Sequence, residues 1–531
     1  MGTGRHRRFG CVGGILNACG NPAVVILRDA LLWVALLCLW SGSPRALAGE
    51  WTVEPNLNIR ETYTDNVNLA PKGDEEWDLI TQVNPGLSVS GKGRRVTLDL
   101  NYRLQDLVYL QDSSRNNLFH QLSADSTAEL IRDKFFFDAN VNVSQQNVLN
   151  TGTVQRDNLS GGGDRANVVT YQLSPYWKEH LGSYADAELR YTQSGVAISS
   201  GQASDAVRQE MEMNLTSGTA SPLLSWSINH RTEKETRDGG DNFEQQESNA
   251  AARYRLTSEL SLLLNGGYSA SDFRTNRDTR DGGYWSVGAA WRPSRFFAIE
   301  AGGGYNDKFL TVDLDPSSRT SLSVSYRDRS VGSNPGNSWE GELEYRIRRV
   351  RVGGRYFEET TTTQQLLLEQ QVFQLLDPFG DPITDPSGEP VLFAVDIPTL
   401  TDEVFVRERF ELFGSIETGK RSDLDLRVFN EKRIFAQQGD NEDVSGWRAN
   451  WNWRLRHHTT LTTLLEMTRT GARTSVAGGD SDEWQFSVDL KQSFGPDLDG
   501  TLRCSRRERD SSDSSGDFAE NRVEAYLTFS F

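Results

Sequence analysis

Cysteine is nearly missing from this chain: four in 531 residues, of which Cys11, Cys19 and Cys38 fall within the first 48. Beyond them only Cys504 remains, which excludes an intrachain disulfide in the rest of the protein. Long hydrophobic runs are missing too. The longest, Ala30 to Trp40, has eleven residues, against the roughly 20 that a helix needs to cross a bilayer. Histidine is scarce, with His120, His180, His230, His457 and His458 after the first 48 residues. His180, His457 and His458 fall in short turns, and His120 and His230 read as solvated or lumen-facing. None has the spacing that a nucleophile–base pair needs, so no catalytic residue is assigned and no enzyme is expected. No Cys/His cluster has zinc spacing. The pieces Asp313-Leu-Asp315 and Asp377-Pro-Phe-Gly-Asp381 lack the full calcium-loop pattern. Gly302–Gly304 falls mid-strand, where it eases curvature or close packing rather than cradling a phosphate. No metal or cofactor is expected.

What is present begins with an address. Arg5, Arg7 and Arg8 precede the apolar run, and Ala46-Leu47-Ala48 is a small-x-small cleavage site, so residues 1–48 read as a secretory signal peptide. Leu37 is too bulky for Cys38 to be a lipoprotein site. Removing the signal's five arginines and Asp29 leaves 51 basic and 73 acidic residues, a net charge of −22, which argues against nucleic acid as a partner. Mean hydropathy is −0.56. That value disfavours a helical membrane protein but not a barrel, whose strands are half polar.

From residue 49 to 531 one theme repeats without a domain break: about ten residues of alternating polarity, a tight turn, ten more, a longer polar loop. Val96, Leu98, Leu100, Tyr102 and Leu104 share a parity; so do Phe135, Phe137, Ala139, Val141 and Val143. Leu260, Leu262, Leu264, Gly266 and Tyr268 repeat the pattern, as do Trp447, Ala449, Trp451, Trp453 and Leu455. Short turns are expected at Gly91–Arg94, Arg132–Lys134, Lys178–Gly182, Gly218–Pro222, Thr257–Glu259, Arg292–Arg295, Pro316–Ser318, Arg348–Arg349, Thr418–Ser422, His457–His458 and Gly495–Pro496. Longer, mostly acidic loops alternate with them, among them Asn147–Ala166, Thr232–Ser248, Glu359–Asp402, Ile434–Ser445 and Asp510–Phe518. The last strand carries Val523, Ala525, Leu527, Phe529 and Phe531 on one face and Arg522, Glu524 and Tyr526 on the other. A terminal aromatic of this kind is what the barrel assembly machinery reads, and the closing strand shows its apolar face to lipid. Trp285 and Trp291, six residues apart, span roughly 20 Å at about 3.3 Å per residue, close to the height of a lipid belt. The expected fold is all-β: an antiparallel, up-and-down transmembrane barrel of about 24 strands (20–26), both ends on the short-turn side, in the cell outer membrane. Alternation starts almost at the cleavage site, which leaves no room before the first strand for the globular plug of a TonB-dependent transporter.

The inward face is charged with both signs. Glu340, Glu342 and Glu344 face Arg351 and Arg355 across one turn, and Arg407, Arg409, Glu411, Arg448 and Arg454 follow on later strands, with Arg456, Asp489, Lys491 and Arg503 beyond them. Two readings stand: cross-strand pairs that stiffen the wall, or weak lumen sites for a hydrophilic polymer, at Glu342, Glu344, Arg351, Arg355, Arg407, Arg409, Arg448 and Arg454. The loop 359–402 is the longest, and its apolar pieces, Leu366-Leu367-Leu368 and Val372 to Leu376, speak against plain disorder. It is expected to fold into or over the mouth as a gate, or to stand outside as a docking patch.

The opening segment reads Trp51-Thr-Val-Glu-Pro55, then Glu61-Thr-Tyr63-Thr-Asp65-Asn66-Val-Asn-Leu69, Asn84-Pro85-Gly86-Leu87 and Gly93-Arg94-Arg95-Val96-Thr97-Leu98-Asp99-Leu100-Asn101-Tyr102. It resembles the PEP-CTERM system-associated outer-membrane proteins, found alongside exosortase and exopolysaccharide loci. The resemblance is most specific over residues 51–146 and brings no active-site signature. It implies a conduit for, or assembly factor in, exopolysaccharide export, with polysaccharide and periplasmic export components as partners. The alternative is a non-conducting anchor for surface polymer or sorted proteins. An outer-membrane enzyme has the least support.

Overall fold

The computed structural model describes residues 49–147, 157–161, 165–199, 204–238, 242–272, 280–332, 335–372, 404–435, 441–471, 480–512 and 516–531. The signal segment 1–48 lies outside them, as does 373–403 of the long loop. The strands are β1 (Gly49–Thr64), β2 (Asp78–Gly93), β3 (Val96–Tyr109), β4 (Asn117–Ile131), β5 (Phe135–Asn147), β6 (Arg165–Leu181), β7 (Ala185–Ile198) and β8 (Ala206–Ser217). Next come β9 (Leu224–Arg237), β10 (Phe243–Arg255), β11 (Leu260–Ser271), β12 (Gly282–Ser294), β13 (Phe297–Tyr305), β14 (Asp307–Ser317), β15 (Thr320–Arg329) and β16 (Gly336–Ile347). The remainder are β17 (Val350–Thr362), β18 (Val404–Glu417), β19 (Ser422–Phe435), β20 (Asn441–Arg456), β21 (Thr459–Gly471), β22 (Ser481–Ser493), β23 (Leu498–Ser511) and β24 (Phe518–Ser530). One helix, α1 (Thr363–Val372), follows β17.

Each strand pairs antiparallel with the next, and β24 closes on β1, from Asn56↔Ser530 to Thr64↔Arg522. The wall is therefore a closed 24-stranded antiparallel barrel. Period-two alternation sets which side faces out. In the closing strand Val523, Leu527 and Phe531 are exposed on the outer face, while Glu524 and Tyr526 are buried on the inner one. Around the ring the outer face continues through exposed Leu262, Leu264, Val287, Leu412, Leu426 and Leu465. Exposed aromatics lie towards both edges of this band, Trp285 and Trp339 at one, Trp291 and Trp453 at the other. A sheet with apolar side chains outside and charge inside is stable only with hydrocarbon around it, which places this chain in the outer membrane. Closure pairs both long edges of the sheet, so no edge strand is left to template aggregation.

All eleven expected short turns lie on one rim, each overlapping its expected position, with residues 178–181 and 292–294 belonging to strands instead. The ladder runs past several of them through β-bulges, as between Trp291 and Ser294 and between Leu314 and Ser317. In barrels of this class the short turns face the periplasm. The other rim differs from expectation in two ways. Strands continue beyond the lipid belt: Thr232–Arg237, Phe243–Ser248 and Glu359–Thr362, read as loop, are paired strand. Strands of 12 to 17 residues exceed the 9–11 that crossing requires. The long-loop side also contains one minimal connection. β13 and β14 are joined by Asn306 alone, held at φ 58°, a left-handed conformation that Asn tolerates. The strands around it are the shortest of the wall, nine residues in β13 and ten in β15, so the rim dips there. Gly288 and Gly302 face each other across β12 and β13; a Cβ on Gly288 would meet the Gly302 Cα at 2.9 Å.

Candidate functional site

Two segments fold inward at the long-loop rim. The first is residues 157–161, between β5 and β6. Leu159 packs into a pocket of Val67, Ile80, Leu107 and Tyr109, all buried. The Tyr109 hydroxyl donates to the Leu159 carbonyl at 2.8 Å, and Gly161 N–H donates to Val67 O at 2.8 Å. Asn158 donates to Gln105 at 2.7 Å, and the Ser160 hydroxyl to Glu520 at 2.6 Å. Asp157 forms a two-pronged ion pair with Arg522 of β24. Burial pushes the Asp157 carboxyl up, but the Arg522 guanidinium outweighs it and holds the group well below the usual carboxylate range. The segment thus reaches over β4 to lie against β2, β3, β24 and the connection between β1 and β2.

The second segment is α1. Its N-cap is Thr362, whose hydroxyl accepts from Gln365 N–H at 3.1 Å. Thr363, Gln364, Gln365 and Leu366 cover a full turn and are all buried, so the first turn of the helix is enclosed on every side. Leu366 packs on Phe405 of β18 and Phe435 of β19. Leu368 packs on Ala166 and Val168 of β6 and on Val196 and Ile198 of β7. The Gln365 amide donates to Glu233 of β9 at 3.0 Å. Strands β6 and β18 are twelve places apart in a ring of 24, hence opposite each other. Twenty-four strands about 4.8 Å apart and tilted about 40° make a ring about 48 Å across if it is circular. A single helix, about 10–12 Å wide with its side chains, touches both walls. The mouth is therefore flattened at this level, with α1 wedged between its long sides. The apolar Leu366–Leu368 stretch is what the wedge uses; Phe373–Leu376 lies outside the described residues.

Beneath α1, the wall from β17 to β21 is an ion network. Glu431 accepts from Arg407 at 2.8 Å, Arg409 at 2.7 Å and Arg433 at 2.6 Å, and Arg433 also meets Glu442 at 2.8 Å. Glu411 holds Arg355 at 2.8 Å and Arg427 beside it, and Arg448 lies 3.7 Å from Glu466. All eight expected lumen residues face inward, but they divide. Arg409 is 2% exposed, and its guanidinium is engaged with Glu431 instead of being presented to the lumen. Arg407 and Arg448 are likewise held in wall pairs and largely buried, so as open polymer contacts these three are corrected, whereas Arg355 pairs with Glu411 but keeps about half of its side chain exposed. Burial and the partner carboxylate, neither visible in one strand's pattern, decide this. Glu342, Glu344, Arg351 and Arg454 stand nearer the short-turn rim, Glu342 and Arg454 exposed and the other two half-buried.

The contrasting part of the wall runs from β9 to β15. At mid-height its inward residues include a run of small uncharged ones, Ser225, Ser227, Ala251, Asn265, Gly288, Thr311 and Ser325, while nearer the long-loop rim the same strands carry ion pairs of their own, Arg237 with Glu235 and Asp307 with Arg327 and Arg329. They leave a cleft of about 540 Å³, with Arg253, Glu300 and Arg327 as its charges. The apolar contacts of α1 and the contacts of residues 157–161 fall on the strands to either side of this stretch, while Gln365 reaches Glu233 on β9 itself. Neither His120 nor His230 is in the lumen. Both are on the outer face, His120 against the Tyr102 hydroxyl at 2.8 Å and His230 against the Ser248 hydroxyl at 2.9 Å. Their parity with Leu118 and Ile228 carried that signal in the sequence.

No protein-family model matches the chain, and no curated protein matches it in sequence. Among solved structures, it is similar to the FrpB iron transporter from Neisseria meningitidis, at 12% identity over 92% of this chain and 83% of that one, TM-score 0.46. It is also similar to the siderophore receptor PirA from Pseudomonas aeruginosa, at 11% identity over 90% and 80%, TM-score 0.41. A third is the ferric enterobactin receptor PfeA of the same species, at 10% identity over 90% and 81%, TM-score 0.46.

Proposed function

We propose that this barrel is an outer-membrane conduit for exopolysaccharide, closed at rest by the two inward segments. The observation that carries this reading is the division of the lumen. One side is filled by α1, by residues 157–161 and by the ion network beneath them. The other keeps, at mid-height, an open cleft lined mainly by Ser, Thr, Asn and Ala side chains, which offers hydroxyl and amide contacts beside Arg253, Glu300 and Arg327. A chain of sugars needs binding that is favourable and weak at many places, and such a surface supplies it. Glu342, Glu344, Arg351 and Arg454 would meet the polymer at the periplasmic end. The likeness of residues 51–146 to the PEP-CTERM-associated outer-membrane proteins supports the same context, with periplasmic export components delivering the chain.

Deleting the gene tests it. Polymer made but trapped in the periplasm supports the conduit. Polymer outside at normal yield but failing to adhere would support the second reading, a surface anchor, which the enclosure of α1 also suits.

A further inference from the structure

The short-turn rim carries a charge distribution that the barrel does not need for stability. Five consecutive turns, from β12–β13 round to β20–β21, hold Arg295, Arg319, Arg348, Arg349, Lys420 and Arg421, with His457 and His458, and contain no carboxylate. All six cations are exposed, in a chain of net charge −18. Just inside, Arg346 and Arg351 face each other directly across β16 and β17, an arrangement that costs a ladder stability. Glu344, 2.8 Å from Arg346, offsets part of it. Successive turns are two strands, about 10 Å, apart, comparable to the Debye length of about 8 Å at physiological salt, so the fields of neighbouring turns overlap.

The geometry points to a docking crescent for a polyanionic glycan, one whose sugars bear carboxylates, at the periplasmic end of the lumen beneath β12 to β21. This rests on the conduit reading and names the class of polymer. Two features favour it over the phosphates of membrane lipid. Arg346 and Arg351 point into the lumen, away from lipid, and the crescent begins at the β12–β13 turn, beneath the small-residue arc. Guanidinium groups take carboxylates in two-pronged pairs, whereas a neutral glycan gains little from them.

The test uses the full chain in detergent and fluorescently labelled oligogalacturonate, with maltooligosaccharide of the same length as the neutral probe. Expected is binding of the acidic probe at least about tenfold tighter than the neutral one at 0.1 M salt, weakening about tenfold by 0.5 M. The quadruple variant Arg295→Gln, Arg348→Gln, Arg349→Gln and Arg421→Gln, all in exposed turns, should lose that preference while keeping its heat-modifiable barrel band. Equal binding of both probes, or a preference unchanged in the variant, overturns the proposal. A variant that loses an acidic periplasmic protein instead of the acidic probe also overturns it. Conductance of the same preparation in planar bilayers is read separately: a chain that binds the acidic probe but never conducts sinks the conduit reading and leaves the crescent standing.

Discussion

Gln365 on α1 donates its side-chain amide to Glu233 on β9 at 3.0 Å, across the mouth of the barrel. Glu233 in turn receives Arg208 at 2.8 Å and Arg231 at 3.3 Å, so the helix ends on a wall whose charges are already engaged. Among the described contacts, the wedge is thus held by a polar anchor at Gln365 and by two apolar ones, Leu366 and Leu368.

The apolar anchors are the better target. Leu366→Ala with Leu368→Ala removes packing from both long walls, and each truncation of a buried leucine costs about 2–5 kcal/mol. The wall itself is hydrogen-bonded without them, so the loss falls on the wedge. Larger single-channel openings, several-fold above the unsubstituted protein, are expected in planar bilayers. Conductance unchanged by the double substitution, and by deletion of residues 362–400, removes the gate from consideration.

The Asp157–Arg522 pair sets a pH window. The folded carboxyl titrates below its unfolded value of about 3.9, so its contribution is present above that pH and is lost as pH falls through the folded value. Docking of residues 157–161 is therefore expected to be flat between pH 5 and 8 and to weaken only in strong acid. Asp157→Asn should loosen the segment at every pH, by about 1–3 kcal/mol for a charged hydrogen bond. Protease cleavage within residues 148–164 measures it; equal protection in both proteins across the range counts against the pair.

Glu431 is the keystone of the buried network. Glu431→Ala leaves Arg407, Arg409 and Arg433 without their shared carboxylate and should cost about 3–5 kcal/mol. The exposed pair Arg469–Asp482, at 2.6 Å, is the control, worth at most about 1 kcal/mol. Urea unfolding followed by the heat-modifiable band compares them. Similar midpoint shifts for Glu431→Ala and Asp482→Ala contradict the network's role.

Neighbouring positions on β10 and β11 test which face meets lipid. Leu264, exposed on the outer face opposite Val287, should cost about 2–4 kcal/mol when changed to Arg. Ala251→Arg, facing the small-residue arc, should fold at normal yield and narrow the passage. Comparable folding losses at both positions overturn the assignment of faces.

The sequence by itself determined the wall. Strand number, the eleven short turns, the inward and outward parity and the closure of Val523–Phe531 on β1 all follow from period-two alternation and turn residues, which are local properties. The outward placement of His120 and His230 was legible by the same parity, although no chemistry marked it. Tertiary structure alone decided what occupies the lumen. Leu368 meets Val168 and Asp157 meets Arg522 only because the ring brings distant strands within reach, and no periodicity records a partner hundreds of residues away. The same holds for the charges: an inward arginine looks alike in sequence whether Glu431 captures it, as with Arg409, or whether it stands exposed to the lumen, as with Arg454. Burial and pairing belong to the closed barrel, because they depend on which strands the closure sets side by side and on what the flattened mouth encloses.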